Sequence, residues 1–234
     1  MDQPVTVCVF WFREWCGDLG PTYVNRLAHA VCDNSTLMAS GGEFVLFTDR
    51  PEAGFVPVVK PRRLSNFALG LKWNLVKMFM YSPEAGLEDR RVICLDLDMI
   101  ITGDLGDILN YNGNFVVCEA AYHRNTYGGS VVGFAGGDKE LEWRLWTPLT
   151  VDQKKIEKLT EGSERLWYRE ALAPIAQTVD LWQQILPGQI RSYKTECREG
   201  GPPAGARLVR FHGSPRPHEV SADWVKRSWG DADV

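Results

Sequence analysis

The sequence predicts a single α/β domain with a mostly parallel central sheet flanked by helices, and three observations predict it. Residues 5–12 and 91–97 are continuous apolar, β-branched runs, as strands covered on both faces require. Helical periodicity follows the first run and precedes the second. The chain has 234 residues, 44% hydrophobic and 24% charged, which is enough for one well-filled core; nothing in that length demands two.

Taken in order, residues 5–12 form the first strand. Pro21 and Thr22 then signal a helix start, and Tyr23, Val24, Leu27, Ala28 and Val31 fall on one face at helical spacing. Residues 43–48 read as a second strand ending in Thr48-Asp49, and 55–59 as a short third one between prolines. Residues 71–81 read as a mostly apolar helix. The segment 91–97 (RVICLDL) is a buried strand, because four apolar residues run together before the first carboxylate. Residues 115–118 and 130–134 read as two more strands and 139–146 as a helix. Periodicity weakens beyond residue 150, leaving 163–173 as a helix, 207–211 as a last strand and the glycine- and proline-rich 199–205 as a loop.

Net charge is −4, which gives no global drive toward nucleic acid or an anionic membrane. No apolar run reaches the roughly 18 to 20 residues of a membrane span, and the start of the chain lacks the pattern of a secretory leader. A soluble, cytoplasmic protein is therefore expected. Cys8, Cys16, Cys32, Cys94, Cys118 and Cys197 show no CxxC spacing, and most read as free buried thiols in a reducing compartment.

The strongest chemical signal is Asp96-Leu97-Asp98 at the end of the 91–97 strand. Residues two apart in an extended chain point to the same side, so the carboxylates of Asp96 and Asp98 converge at a sheet edge where open α/β sheets bind ligands. Converging carboxylates call for a cation between them, and hard oxygen ligands favour Mg2+ or Mn2+. Such an ion would neutralise charge on a nucleoside diphosphate leaving group.

This stretch, with Ile100-Ile101-Thr102-Gly103-Asp104-Leu105 after it, resembles the DxD region of GT-A glycosyltransferases, particularly glycosyltransferase family 8 and related bacterial and phage proteins. Phe211-His212-Gly213-Ser214-Pro215-Arg216-Pro217-His218 resembles the family ending HxxGxxKPW. Gly213, Arg216 and Pro217 match its glycine, basic and proline positions. The family histidine position falls on Arg210, while His212 directly precedes the glycine, and His218 replaces the tryptophan. Tyr23 to Leu27, Phe47-Thr48-Asp49, Trp73 to Lys77 and Ser192-Tyr193-Lys194 add further likeness.

The resemblance implies a Rossmann-like GT-A fold, with a nucleotide-binding half over about residues 1–105 and an acceptor or closing half over about 106–234. It implies sugar transfer from a nucleotide-sugar donor, with UDP favoured and configuration retained. Asp96, Asp98 and His212 are the implied metal ligands, with Asp96 also touching the donor. Asp49 is a candidate for the base, Lys77 for a phosphate, and Lys194, Gly213 and Arg216 for the diphosphate. Asp180, in a partial likeness to a GDQ segment, and Ser130, where relatives carry an Asn-containing segment, are candidates near the reacting carbon.

Bland roles stand beside these: a turn cap for Asp49, a solvated helix face for Lys77, a solvated surface for Lys194 and Arg216, a helix N-cap for Asp180. Trp143, Trp146, Trp167, Trp182, Trp224 and Trp229 read mostly as core. A haloacid-dehalogenase-like phosphatase also carries DxD after a strand, but its motif continues Gly-Thr where this chain has Met99-Ile100. A non-catalytic sugar-nucleotide-binding module is the other alternative. The acceptor is open: glycan, protein, small molecule, or a modified base in phage DNA. The DNA variant is motivated by Lys60, Arg62, Arg63, Arg207, Arg210, Arg216, Lys226 and Arg227.

Overall fold

A computed structural model describes residues 3–12, 19–123 and 126–229. Cys16 lies outside the described residues.

The central sheet has seven strands: β1 (Val5–Trp11), β2 (Glu43–Thr48), β3 (Val59–Arg63), β4 (Arg91–Leu95), β6 (Phe115–Glu119), β7 (Tyr127–Ala135) and β8 (Asp180–Leu181). Their order is β3-β2-β1-β4-β7-β6-β8. β3, β2, β1 and β4 are mutually parallel, and β7 runs antiparallel to both β4 and β6. A second sheet of three-residue strands holds β5 (Met99–Ile101), β9 (Ile190–Ser192) and β10 (Leu208–Arg210), in the order β5-β10-β9. The expected α/β architecture with a mostly parallel centre is thus observed.

Alternate residues of the central strands enter opposite cores. Val7, Val9, Ile93 and Leu95 face helix α1 (Pro21–Asp33), while Cys8, Phe10, Val92 and Cys94 face the other layer. That other layer is made of the 3₁₀ helix Trp73–Tyr81, α2 (Thr147–Thr160) and α3 (Glu164–Leu172). α1 starts on Pro21 and buries the five residues expected of it. α3 is capped by Ser163, whose hydroxyl accepts from the Leu166 N–H at 3.4 Å. The last helix, α4 (Asp223–Trp229), returns to the α1 side, where the Trp229 ring packs on Tyr23.

Three local expectations are corrected. The third strand begins at Val59, where the predicted 55–59 strand ends. It is an edge strand, paired only with β2, so it tolerates Lys60, Pro61 and Arg63 and shows no apolar run. Residues 73–81 form a 3₁₀ helix instead of an α-helix, entered through Trp73 at a left-handed φ of 51°. Helical structure also extends through 147–160, kinked at Asp152. Only Leu149, Ile156 and Thr160 of that segment are buried, too few to leave a readable stripe.

Cys8, Cys94, Cys118 and Cys197 are buried free thiols as read, and Cys32 is half-buried. Trp146, Trp167, Trp182 and Trp229 are core residues, while Trp143 is 65% exposed. Among the described residues no helix is long and apolar enough to cross a membrane.

Candidate active site

β4 ends at Leu95 and delivers Asp96 and Asp98 into a turn held from both sides. The Asp96 N–H donates to the Ser130 carbonyl on β7 at 3.0 Å, and the Phe211 N–H, just past β10, donates to the Asp98 carbonyl at 3.1 Å. The two sheets thereby fix the backbone that carries both carboxylates. These residues line a cleft of about 400 Å³, which also reaches Lys77, Ser130, Glu164, His212, Gly213 and Arg216.

Each carboxylate has a cationic partner. Asp96 binds the Lys77 ammonium, and Asp98 takes the Arg216 Nη1 at 2.5 Å. Lys77 also pairs with Glu164 at 3.1 Å, so one ammonium joins the turn after β4 to the first turn of α3. Lys77 is 4% exposed, which removes the solvated-face reading. Burial alone would lower its pKa, but the charges of Asp96 and Glu164 outweigh that and hold the ammonium above its ordinary value.

Burial pushes the Asp98 carboxyl up to about 7, with the Asp96 charge adding and Arg216 opposing. Burial likewise pushes Glu164 up to about 7 against the pull of Lys77. His212 is lowered to about 4 by burial and by the charges of Arg210 and Lys194, so its imidazole is neutral. Its Nε2 is buried without a hydrogen-bond partner, and the ring packs edge-on against Tyr122.

The bare backbone of Gly129 makes room for this cluster. A Cβ there would stand 2.6 Å from the Glu164 carboxyl carbon. Gly129→Ala is therefore expected to push Glu164 off Lys77 and cost roughly 1–3 kcal/mol, as overpacking does. Chemical denaturation of the two proteins checks it, and an unchanged midpoint would show that the cluster yields freely.

Neither a protein-family model nor a curated protein sequence matches the chain. Among solved structures it is similar to LgtC. The likeness to an active-site mutant of LgtC has a TM-score of 0.61 at 10% identity, over 95% of this chain and 93% of that one. A galactosyltransferase LgtC structure in complex with donor and acceptor sugar analogues gives 0.61 at 9% identity, over 96% and 92%. The apo-form glycosyltransferase GlyE of Streptococcus pneumoniae TIGR4 gives 0.61 at 14% identity; 97% of this chain covers 60% of that protein. This chain has the glycosyltransferase fold.

Within that glycosyltransferase fold the sequence-predicted residues divide. Lys77, Asp96, Asp98, Ser130, His212, Gly213 and Arg216 come together in the cleft. Asp49, Asp180 and Lys194 are not among its lining residues. Asp49 directly follows β2, with its Oδ1 buried and unpartnered, and its carbonyl accepts from Arg63. Asp180 lies on β8 and accepts from the Tyr111 hydroxyl at 2.8 Å. Lys194 lies in a π-helical turn, Tyr193–Cys197. Among the described residues no group of three His, Cys, Asp or Glu is gathered closely enough to hold a metal, so Asp96, Asp98 and His212 share the cleft without being assembled as ligands.

Sequence reasoning missed Glu164, and it noted Arg210 only at the family histidine position and in the basic cluster. Both are buried, and both meet their partners across more than seventy residues of chain. A carboxylate at the first turn of an amphipathic helix, on its apolar side, was the available signal for Glu164. Four of the eight cations that motivated a DNA acceptor are paired with carboxylates: Lys60 and Arg62 hold Glu43, Arg63 holds Glu52, and Arg216 holds Asp98.

Proposed function

We propose that the chain transfers a sugar from a nucleotide-sugar donor, a UDP-sugar for preference, to a hydroxyl acceptor with retention of configuration. The observation that carries the proposal is the Asp96 and Asp98 pair at the end of β4, placed between the Lys77 ammonium and the Arg216 guanidinium in a cleft of ligand size. The glycosyltransferase fold supports the reaction class. The UDP preference and retention rest on the resemblance to family 8.

The donor chemistry suits Mn2+ or Mg2+, two hard carboxylates and a neutral imidazole with a buried, unpartnered Nε2, although the three are not gathered around one point. Asp96, Asp98 and His212 would hold the ion. When bound, it would neutralise charge developing on the leaving diphosphate. The chain's own part is then to bind and orient. Arg216, released from Asp98, offers a planar fork to a phosphate, and Lys77, fixed by Glu164, holds Asp96 in place. The left-handed Gly213, at φ 69°, sets the turn between His212 and Arg216.

UDP with Mn2+ is expected to raise the melting temperature, since a ligand at a hundred times its Kd stabilises the folded state by about 2.7 kcal/mol. Stabilisation by GDP and not UDP would overturn the base preference. Mass spectrometry of products from a panel of nucleotide sugars tests the transfer itself, and no consumption of any donor would overturn it.

A further inference from the structure

We infer that Arg210 is an oxyanion-binding residue, its guanidinium the counter-ion of a phosphate or carboxylate on a bound substrate. The inference rests on the proposed sugar transfer only for which substrate supplies the anion.

Arg210 stands at the end of β10 and is 4% exposed. Its Nη1 donates to the Ser130 hydroxyl at 3.3 Å and its Nη2 to the Glu119 carbonyl at 2.9 Å, while its Nε is buried with no partner. Both partners are neutral. Among the described residues no carboxylate pairs with it, whereas Lys77 has Asp96 and Glu164, Arg216 has Asp98, and Arg191 has Glu196. A buried charge left without a counter-charge is strongly unfavourable, so a fold keeps one where a ligand completes the pair.

Position says where that ligand comes from. Arg210 lines the cleft of Asp96 and Asp98, and it also lines a second cleft of about 860 Å³ reached by Gln183, Arg191 and Glu196. Ala120 and Ala121 belong to both, so the guanidinium forms part of the wall between two concavities. An unsatisfied Nε beside a fixed fork matches the paired oxygens of a phosphate or carboxylate. The first cleft would bring the diphosphate of the donor, and the second an acidic group on the acceptor.

Calorimetric titration of the full chain with inorganic pyrophosphate, glucuronate and, as a neutral control, glucose separates these sources. The wild type is expected to bind at least one of the two anions, and Arg210→Met to lose at least ~10-fold in that affinity, the scale of a hydrogen bond to a charged group. Loss for pyrophosphate assigns the donor side, and loss for glucuronate the acceptor side. Removing the uncompensated charge should leave the ligand-free variant melting no lower than wild type. If Arg210→Met does not fold, Arg210→Lys keeps the charge but not the fork and is expected to show the same ~10-fold loss.

Unchanged affinity for both anions in the folded variant, with or without a lower melting temperature, marks a structural arginine and overturns the inference, as does a wild type that binds neither anion. Arg210-dependent anion binding in a protein that consumes no nucleotide sugar would sink the proposed function and leave this inference standing.

Discussion

Asp98→Asn is expected to lower sugar transfer from a UDP-sugar by at least ~10²-fold, the usual loss when an electrostatic group at a reaction centre is removed. The substitution keeps the shape of the side chain and removes the charge that now holds Arg216 at 2.5 Å. EDTA should abolish transfer by the wild type, and Mn2+ or Mg2+ should restore it. The assay follows the transferred sugar, because phosphate release would not distinguish a phosphatase. Wild-type transfer by Asp98→Asn in EDTA would remove the β4 carboxylates from the mechanism.

Lys77→Met is expected to be the most destabilising of these changes. It leaves Glu164 buried without the one cation that pairs with it among the described residues and removes the partner of Asp96. Breaking a buried pair from one side costs roughly 3–5 kcal/mol. At roughly 2–4 °C per kcal/mol for a chain of this size, melting should fall by roughly 6–20 °C. The deficit relative to wild type should narrow as pH falls. Burial already raises Glu164 to about 7 with Lys77 present, and the raised folded-state pKa means that the folded variant binds a proton the unfolded chain does not. In each protein that contribution is complete below the unfolded carboxyl range and is lost as pH rises through the folded value; the folded value lies higher without Lys77, so the deficit narrows as pH falls toward about 7. Melting curves of both proteins across this range test it, and a pH-independent deficit would show that the ammonium acts by packing alone.

What could be read from the sequence follows from how local each signal is. β1, β2 and β4 announce themselves because strands buried on both faces need unbroken apolar runs. β3 does not, since an edge strand needs none, and the three-residue strands β5 and β9 are too short to show a period. The 3₁₀ helix passed for an α-helix because its apolar content, Leu75 to Tyr81, carries no sign of which helix it will form.

In the site, Asp96 and Asp98 were legible because two residues of spacing and one strand end determine their convergence. The sequence marks Lys77 as a candidate but not its burial, which depends on α3 packing over it. Glu164 and Arg210 acquire their meaning only from residues 87 and 80 positions away. Asp49 and Asp180 look like ligands in a list of residues, yet the topology sends one to the end of β2 and the other to the outermost strand.

That topology also bears on how the chain meets copies of itself. The central sheet is bounded on one side by β3, where Pro61 has no N–H to offer and Lys60 and Arg63 project charge, and on the other by the two-residue β8. Neither border is a template for an added strand. Self-association by adding a strand to β3 or β8, whether in a dimer or at the start of a fibril, is therefore disfavoured at both borders of this sheet.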